Sequence, residues 1–355
     1  MSASINGRAC SWEATCWPKI ENSFMAAAGR VATSFRILTA LSNESSILFI
    51  CGRFLFFDFE GNIIGVFWIS IVSSIASSIE FAEFSGNVCN LKCFFLFFQV
   101  PQSDDDWTKI INGFHNLWNF PNCIGAIDGK HIVIQCPPNS GSLYHNYKGT
   151  FSIVLLALVD HNYNFTFIDV GTYGNCSDGG IFAKSSLHKA IEEKNLNLPN
   201  GSVILGDEAF PLKSYLMKPY PRRNQLNMTQ KVYNYRHCRA RRISENGFGI
   251  LAARFRVFRS TITLAPSTVT KLVKAACALH NWLRKESNDV IITPDVEDRQ
   301  TGRIIPGSWR NGDRPNRLQP TLQRNYPQEA RQKRDNLAAY FVGPGAVDWQ
   351  YRMIQ

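Results

Sequence analysis

The alternation of apolar and polar positions becomes orderly near residue 100. In PQSDDDWTKIINGFHNLWNFP, residues 101–121, Trp107, Ile110, Ile111 and Phe114 recur at helical spacing. Ser103 and the acids Asp104, Asp105 and Asp106 stand where a helix N-terminus wants a cap and negative charge, so the stretch predicts a capped amphipathic helix. Strand patterns follow in CIGAIDGKHIVIQC (123–136), FSIVLLALVD (151–160) and NFTFIDV (164–170), the last two joined by a hairpin-like HNY. Residues 179–194 read as a helix, and SVILG (202–206) as a short buried strand ending at Asp207. Residues 233–258 and 266–284 predict two more helices, the second with Val269, Leu272, Val273, Ala276, Leu279 and Leu283 on one face. The order β-β-β-α-β-α-α predicts an α/β fold, a mixed sheet with helices packed on it.

The flanks are different. Residues 1–32 lack a basic segment leading into an apolar core, so they do not resemble a signal peptide. IIGVFWISIVSSIASSI (63–79) is uncharged and fits either a short membrane span or a buried helix. FLFF (54–57) and FFLFF (94–98) would promote aggregation if exposed. Beyond residue 285 Asn, Arg, Gln and Pro dominate, which predicts an extended polar tail. The chain thus divides into an irregular or mainly helical N-terminal region (1–99), a folded domain (100–285) and a tail (286–355).

Composition narrows the class. The chain of 355 residues is 45% hydrophobic and 12% aromatic, which excludes a largely disordered protein. Lys and Arg number 38 against 28 acids, a formal charge of +10, which points to a polyanion such as nucleic acid or to an acidic membrane surface. The excess is concentrated: residues 211–259 hold many Lys and Arg, among them Arg222, Arg223, Arg239, Arg241 and Arg242, against the single acid Glu245. Such density suits a phosphate backbone, and equally a solvated helix face. The ten cysteines form no Cys-x-x-Cys pair and have no His cluster, which argues against a zinc site. Several, such as Cys123 and Cys277, lie in apolar runs and read as small buried side chains.

Three acids then stand out. Asp128 lies within the first strand pattern, Asp207 ends the last one, and Glu245 sits in the basic helix. Each has an ordinary reading: Asp128-Gly129 as a type I′ turn, Asp207 as a loop cap, Glu245 as the partner of Arg241 or Arg242 at helical spacing. Taken together, two strand carboxylates and one helical carboxylate can converge on hard divalent cations. Two such ions about 4 Å apart activate a water and stabilise the leaving oxygen in phosphodiester cleavage.

NFPNCIGAIDGKHI, YHNYKGTFSIVLLALVD, IDVGTYGNCSDGGIF, GDEAFPLKSYLMKPY, YNYRHCRARRISENGFGILAARFRVF and ALHNWLR, in this order, resemble the DDE nuclease domain of the PIF/Harbinger transposase superfamily and its domesticated nucleases. The resemblance covers about residues 100–284, and DNLAAYFVGPGAVDWQ (335–350) also resembles ends seen in the family. It implies an RNase H-like fold, a divalent cation (Mg²⁺ or Mn²⁺), no small-molecule cofactor, and DNA cleavage with strand joining. Asp128 falls on the acid of the family's DG-H motif, Asp207 on that of GD-x-x-(F/Y)-P-L, and Glu245 on that of R-x-x-E-x-x-FG. Asp178 falls on a fourth acid, in SDGG, which could also simply cap the following helix. Asp160 and Asp169 are left as structural. The expected partners are DNA, a Myb-like protein and a second copy of the chain, and the expected location is the nucleus, with the cytoplasm as a second compartment. Against the family pattern, Asn175 replaces Arg, Gly247 replaces Ala, and residues 30–49 keep only a trace of the usual helix-turn-helix. Poor sequence-specific DNA recognition is therefore expected, and a non-catalytic DNA- or protein-binding derivative is the alternative to an enzyme.

Overall fold

The computed structural model describes residues 47–50, 53–56, 101, 103–221, 225–286, 292–298, 300–301, 303–310 and 326–354. The apolar runs 63–79 and 94–98, and most of the helix-turn-helix trace, lie outside them. Two compact units divide the chain, Met1–Ser77 and Ser78–Gln355. In the first, β1 (Ile47–Ile50) and β2 (Arg53–Phe56) form an antiparallel hairpin. All that follows concerns the second.

Helix α1 (Asp104–Trp118) begins as the pattern predicts. The Ser103 hydroxyl oxygen accepts from the Asp106 amide at 3.2 Å, and three acids occupy the first turn. It ends at Asn119, whose left-handed backbone, φ 53°, suits asparagine. Three antiparallel strands follow: β3 (Cys123–Val133), β4 (Ser152–Val159) and β5 (Phe165–Tyr173). β4 is buried along its whole length and β3 at all but its last residue, which is why both read as nearly unbroken apolar runs.

The helix predicted at 179–194 is two short ones, α2 (Asp178–Lys184) and α3 (Ser186–Glu192). The break is Ser185, whose extended backbone ends α2 while its hydroxyl oxygen caps α3 by accepting from the His188 amide. β6 (Val203–Leu205) and β7 (Leu216–Met217) complete the sheet, both parallel to their neighbours, in the order β5-β4-β3-β6-β7. This mixed sheet, flanked by helices, is the RNase H-like arrangement that the resemblance implies. Helices α4 (Met228–Arg254) and α5 (Pro266–Glu286) follow. α4 starts five residues before its predicted limit because Asn227 and Gln230 form a capping box there. α1 and α4 pack on β3, and α5 packs on β5.

The region expected to be an extended tail has structure of its own. β8 (Val296–Glu297) and β9 (Ile304–Ile305) form a hairpin, a 3₁₀ turn spans Ser308–Arg310, and α6 (Gln328–Val342) packs against α4. Polar composition concealed it. Trp309 and Phe341 are buried, and the Arg236 guanidinium lies 4.6 Å over the Phe341 ring. Among the described residues no helix is long and apolar enough to cross a membrane.

Candidate active site

β3 and β6 run side by side in parallel, with Ala126 opposite Leu205. Two residues further along each chain stand Asp128 and Asp207. Side chains alternate with period two and neighbouring strands lie about 4.8 Å apart, so the sheet register brings these two carboxylates to one place. The Asp207 carboxylate accepts the Ala209 amide at 2.8 Å. The buried Lys218 ammonium holds the same loop by donating to the carbonyls of Glu208 and Phe210, at 2.7 and 2.9 Å.

Asp128 is not in a turn. It lies inside β3 opposite Ala157, which rules out the type I′ hairpin that Asp-Gly alone suggests. One of its oxygens accepts the Gly129 amide at 2.9 Å. The other accepts from Arg241 Nη1 at 3.2 Å and from the Ser244 hydroxyl at 3.3 Å. Arg241 Nη2 donates to Glu245 one turn along α4. A single buried guanidinium thus ties the strand acid to the helix acid. Burial pushes the Asp128 carboxyl up to about 6; Arg241 opposes this, while Asp207 and Glu245 reinforce it. Burial disfavours the charge of Arg241, but Asp128, Glu245 and Asp207 outweigh it and hold its pKa above the ordinary value. Lys130 is buried two residues along β3 from Asp128; burial lowers its pKa to about 8 against the pull of Asp128.

Asp178 opens α2 and is fully buried. The helix cap is supplied by Ser177, whose hydroxyl oxygen accepts from the Gly180 amide, so capping does not explain Asp178. Neither of its carboxylate oxygens has a hydrogen-bond partner. Burial, then the charges of Asp207 and Asp128, push its pKa up to about 9. A bare carboxylate within electrostatic reach of two others is a costly arrangement for a fold to keep. Its oxygen-only chemistry suits a hard divalent cation. As they stand, with Arg241 bonded to both Asp128 and Glu245, no group of three or more His, Cys, Asp or Glu among the described residues is gathered closely enough to hold an ion.

The basic residues are placed otherwise than charge density suggests. Arg239 is buried and donates to Glu297, to the carbonyls of Leu117 and Trp118 and to the Asn119 side chain, closing the C-terminus of α1. Arg241 serves the acids, and half-buried Arg242 faces Glu297 at 3.8 Å. These three sit in the interior of the fold or at its margin, where a phosphate-facing surface was expected. Arg222 and Arg223 lie outside the described residues. Helical spacing to Glu245 was the only sequence signal for the role of Arg241, and nothing in the sequence indicated that it also reaches Asp128.

Comparison with known proteins matches residues 127–281 to the DDE superfamily endonuclease family, a span holding Asp128, Asp178, Asp207 and Glu245. The chain is similar to an ALP1-like protein of Arabidopsis thaliana, 28% identical over 49% of this chain and 46% of the relative. It is also similar to the candidate nuclease HARBI1 of Mus musculus, 26% identical over 72% of this chain and 71% of the relative. A third relative, named antagonist of like heterochromatin protein 1, from Arabidopsis thaliana, is 24% identical over 49% of this chain. The chain spans about half the length of the Arabidopsis relatives. No solved structure matches it.

Proposed function

We propose that the chain, whose residues 127–281 match the DDE superfamily endonuclease family, is a Harbinger-derived, divalent-metal-dependent DNA endonuclease that hydrolyses phosphodiester bonds and joins strands. One observation carries the reading: Asp128 on β3 and Asp207 just beyond β6 each stand two residues past the pair Ala126–Leu205 on these neighbouring parallel strands, and the buried carboxylate of Asp178, whose pKa their charges raise, has both oxygens bare. Asp128, Asp178, Asp207 and Glu245 would hold Mg²⁺ or Mn²⁺. When bound, the cation supplies Lewis acidity at the scissile phosphate and makes a nucleophile available near neutral pH.

The remaining chemistry belongs to the chain. Asp128 and Asp207 position the reacting groups over the sheet. Arg241 balances Asp128 and Glu245, so their charges need not all be neutralised by protons. Lys130 adds positive charge beside the phosphate. Arg222 and Arg223 extend the basic segment that would follow the DNA backbone, and the nucleus is the compartment where such a substrate is met. A Myb-like partner and self-association belong to the same proposal.

The test is nicking of supercoiled plasmid by the purified chain, with Mg²⁺ or Mn²⁺ and with EDTA. Nicking should require the cation and fall at least about 100-fold in Asp128→Asn, Asp207→Asn and Glu245→Gln, while their melting temperatures show that they remain folded. Equal nicking in EDTA, or full activity in Asp207→Asn, overturns the proposal. The second reading, a non-catalytic DNA- or protein-binding derivative, draws on Arg241, whose bonds to Asp128 and Glu245 occupy the acids a cation would need. A folded, DNA-binding wild type that never nicks would select it.

A further inference from the structure

A tight turn between β3 and β4 presents an aromatic ring and a cation next to β3, the strand that carries Asp128. The His145–Phe151 bridge closes the base of the turn, the Asn146 amide donates to the Thr150 carbonyl at 2.8 Å, and the Gly149 amide donates to the Asn146 carbonyl at 3.0 Å. Tyr147 and Lys148 are therefore the two central residues, and Gly149, at φ 77°, makes the left-handed step that returns the chain to β4. Asn146 clamps the turn from beneath. Only 2% exposed, it accepts the amides of Lys148 and Thr150 at 3.0 and 3.2 Å and donates to the Ser152 hydroxyl at 2.9 Å. Ser152 in turn bonds His131 on β3 at 2.7 Å, which couples the turn to the strand carrying Asp128.

This scaffolding holds a side chain that the fold does not bury. Tyr147 is 42% exposed, its ring stands edge-on to His131 with centroids 5.8 Å apart, and the Lys148 ammonium lies 5.6 Å from its centre. Burial, then the charges of Asp178 and Asp207, raise the pKa of the Tyr147 hydroxyl. A large ring left half in water on a rigid support, next to a cation and packed on the strand that carries Asp128, has the composition of a single-strand nucleic-acid platform. A base pairs its flat face with an aromatic ring whatever its identity, and a cation takes the adjoining phosphate.

We propose that Tyr147 and Lys148 form such a platform, with the ring stacking on an unpaired base next to the phosphodiester held at the acids and the ammonium binding the neighbouring phosphate. This rests on the nuclease reading above and adds to it that the strand is unpaired where it enters the site. A base within a duplex is stacked on its neighbours and has no free face.

The experiment uses the full chain in EDTA with a single-stranded oligonucleotide carrying 2-aminopurine, whose fluorescence falls on stacking, and a separate plasmid-nicking assay with Mn²⁺. Wild type and Tyr147→Phe should quench the probe. Tyr147→Ala should lose the quenching and bind about ten-fold more weakly, as loss of one base–aromatic stack gives. Tyr173→Ala removes an equally exposed tyrosine, 43%, that packs on Tyr144, and should behave as wild type. Circular dichroism of Tyr147→Ala, together with Tyr147→Phe, guards against a folding artefact. If Tyr147→Ala quenches as wild type does while wild type nicks, the platform is wrong and the nuclease reading stands. Quenching without nicking supports the platform on a non-catalytic DNA-binding protein. A wild type that neither binds nor nicks overturns both.

Discussion

Helix α4 borders two buried charge clusters that are alike in depth and unlike in everything else. In one, Arg239 and Glu297 have side chains 5% and 6% exposed. Arg239 donates to four acceptors, and Glu297 also accepts the Tyr235 hydroxyl at 3.1 Å. In the other, Arg241, Asp128 and Glu245 are 9%, 10% and 13% exposed, and Asp178 close by has no partner at all. Burial is common to both, and saturation separates them. In the first, every side-chain nitrogen of Arg239 and both oxygens of Glu297 are answered, which holds helices together, whereas the second keeps the bare carboxylate of Asp178, which pays for something other than stability.

The sharpest way to break this comparison is to remove each arginine. Arg241→Ala takes from buried Asp128 the guanidinium bonded to it, at about 3–5 kcal/mol, a fall in melting temperature on the order of 10 °C, and Arg239→Ala, which leaves Glu297 facing Arg242 at 3.8 Å, should lower it less. Millimolar Mn²⁺ should restore much of the loss in Arg241→Ala and none in Arg239→Ala, read by thermal denaturation with and without EDTA. Equal rescue of both, or of neither, would erase the distinction.

A smaller effect tests Asp178 by pH. Its carboxyl, at about 9 in the folded chain against 3.8 ordinarily, keeps a proton on folding that the unfolded chain releases. Metal-free stability must then fall as pH rises through the window between those values. From pH 5 to pH 8 the loss is at most about 4 kcal/mol. Asp178→Asn removes this slope, so the urea midpoints of wild type and variant should lie closer at pH 5 than at pH 8, with the variant the more stable at pH 8. Parallel curves would mean that Asp178 is answered after all.

The smallest effects concern two helical glycines near these clusters. A Cβ at Gly249 would meet the Trp309 ring at 2.3 Å, so Gly249→Ala should cost about 1–3 kcal/mol. At Gly247, where the family pattern has Ala, the nearest atom would be Val159 Cγ1 at 3.1 Å. A shift of a few tenths of an ångström there is offset by about 1 kcal/mol of helix propensity. Gly247→Ala should leave the urea midpoint nearly unchanged. A loss as large as that of Gly249→Ala would mean that Val159 cannot move.

Much of the architecture was legible before any coordinates. The nearly unbroken apolar runs in residues 123–136 and 151–160 report strands buried on both faces, the spacing in 101–121 and 266–284 reports helices buried on one, and burial is what strands β3 and β4 and helices α1 and α5 share. Where local signals competed, the sequence misled. Asp128-Gly129 carries the chemistry of a turn, yet its place in the middle of a buried strand is decided by pairing with Leu156 and Ala157. Ser185 splits a helical run because its side chain caps as well as it continues. The fold of residues 296–298, 303–310 and 326–342 depends on Trp309, Ala330 and Phe341 finding α4 and its surroundings, a long-range matter that local composition does not encode.

The candidate site divides along the same line. Sequence by itself determined the main strands and helices of residues 101–284 and singled out Asp128, Asp178, Asp207 and Glu245, because acids within apolar runs and matched motifs are visible residue by residue. Only the tertiary structure decided that β3 and β6 lie parallel with Ala126 opposite Leu205, and so that Asp128 and Asp207 meet. It also decided that much of a dense basic segment turns inward. Arg236 and Arg239 close the end of α1, and Arg241 joins Asp128 to Glu245. The physical reason is that net charge adds along a chain regardless of order, whereas the energy of each charge depends on which group, near in sequence or more than a hundred residues away, answers it in a medium without water.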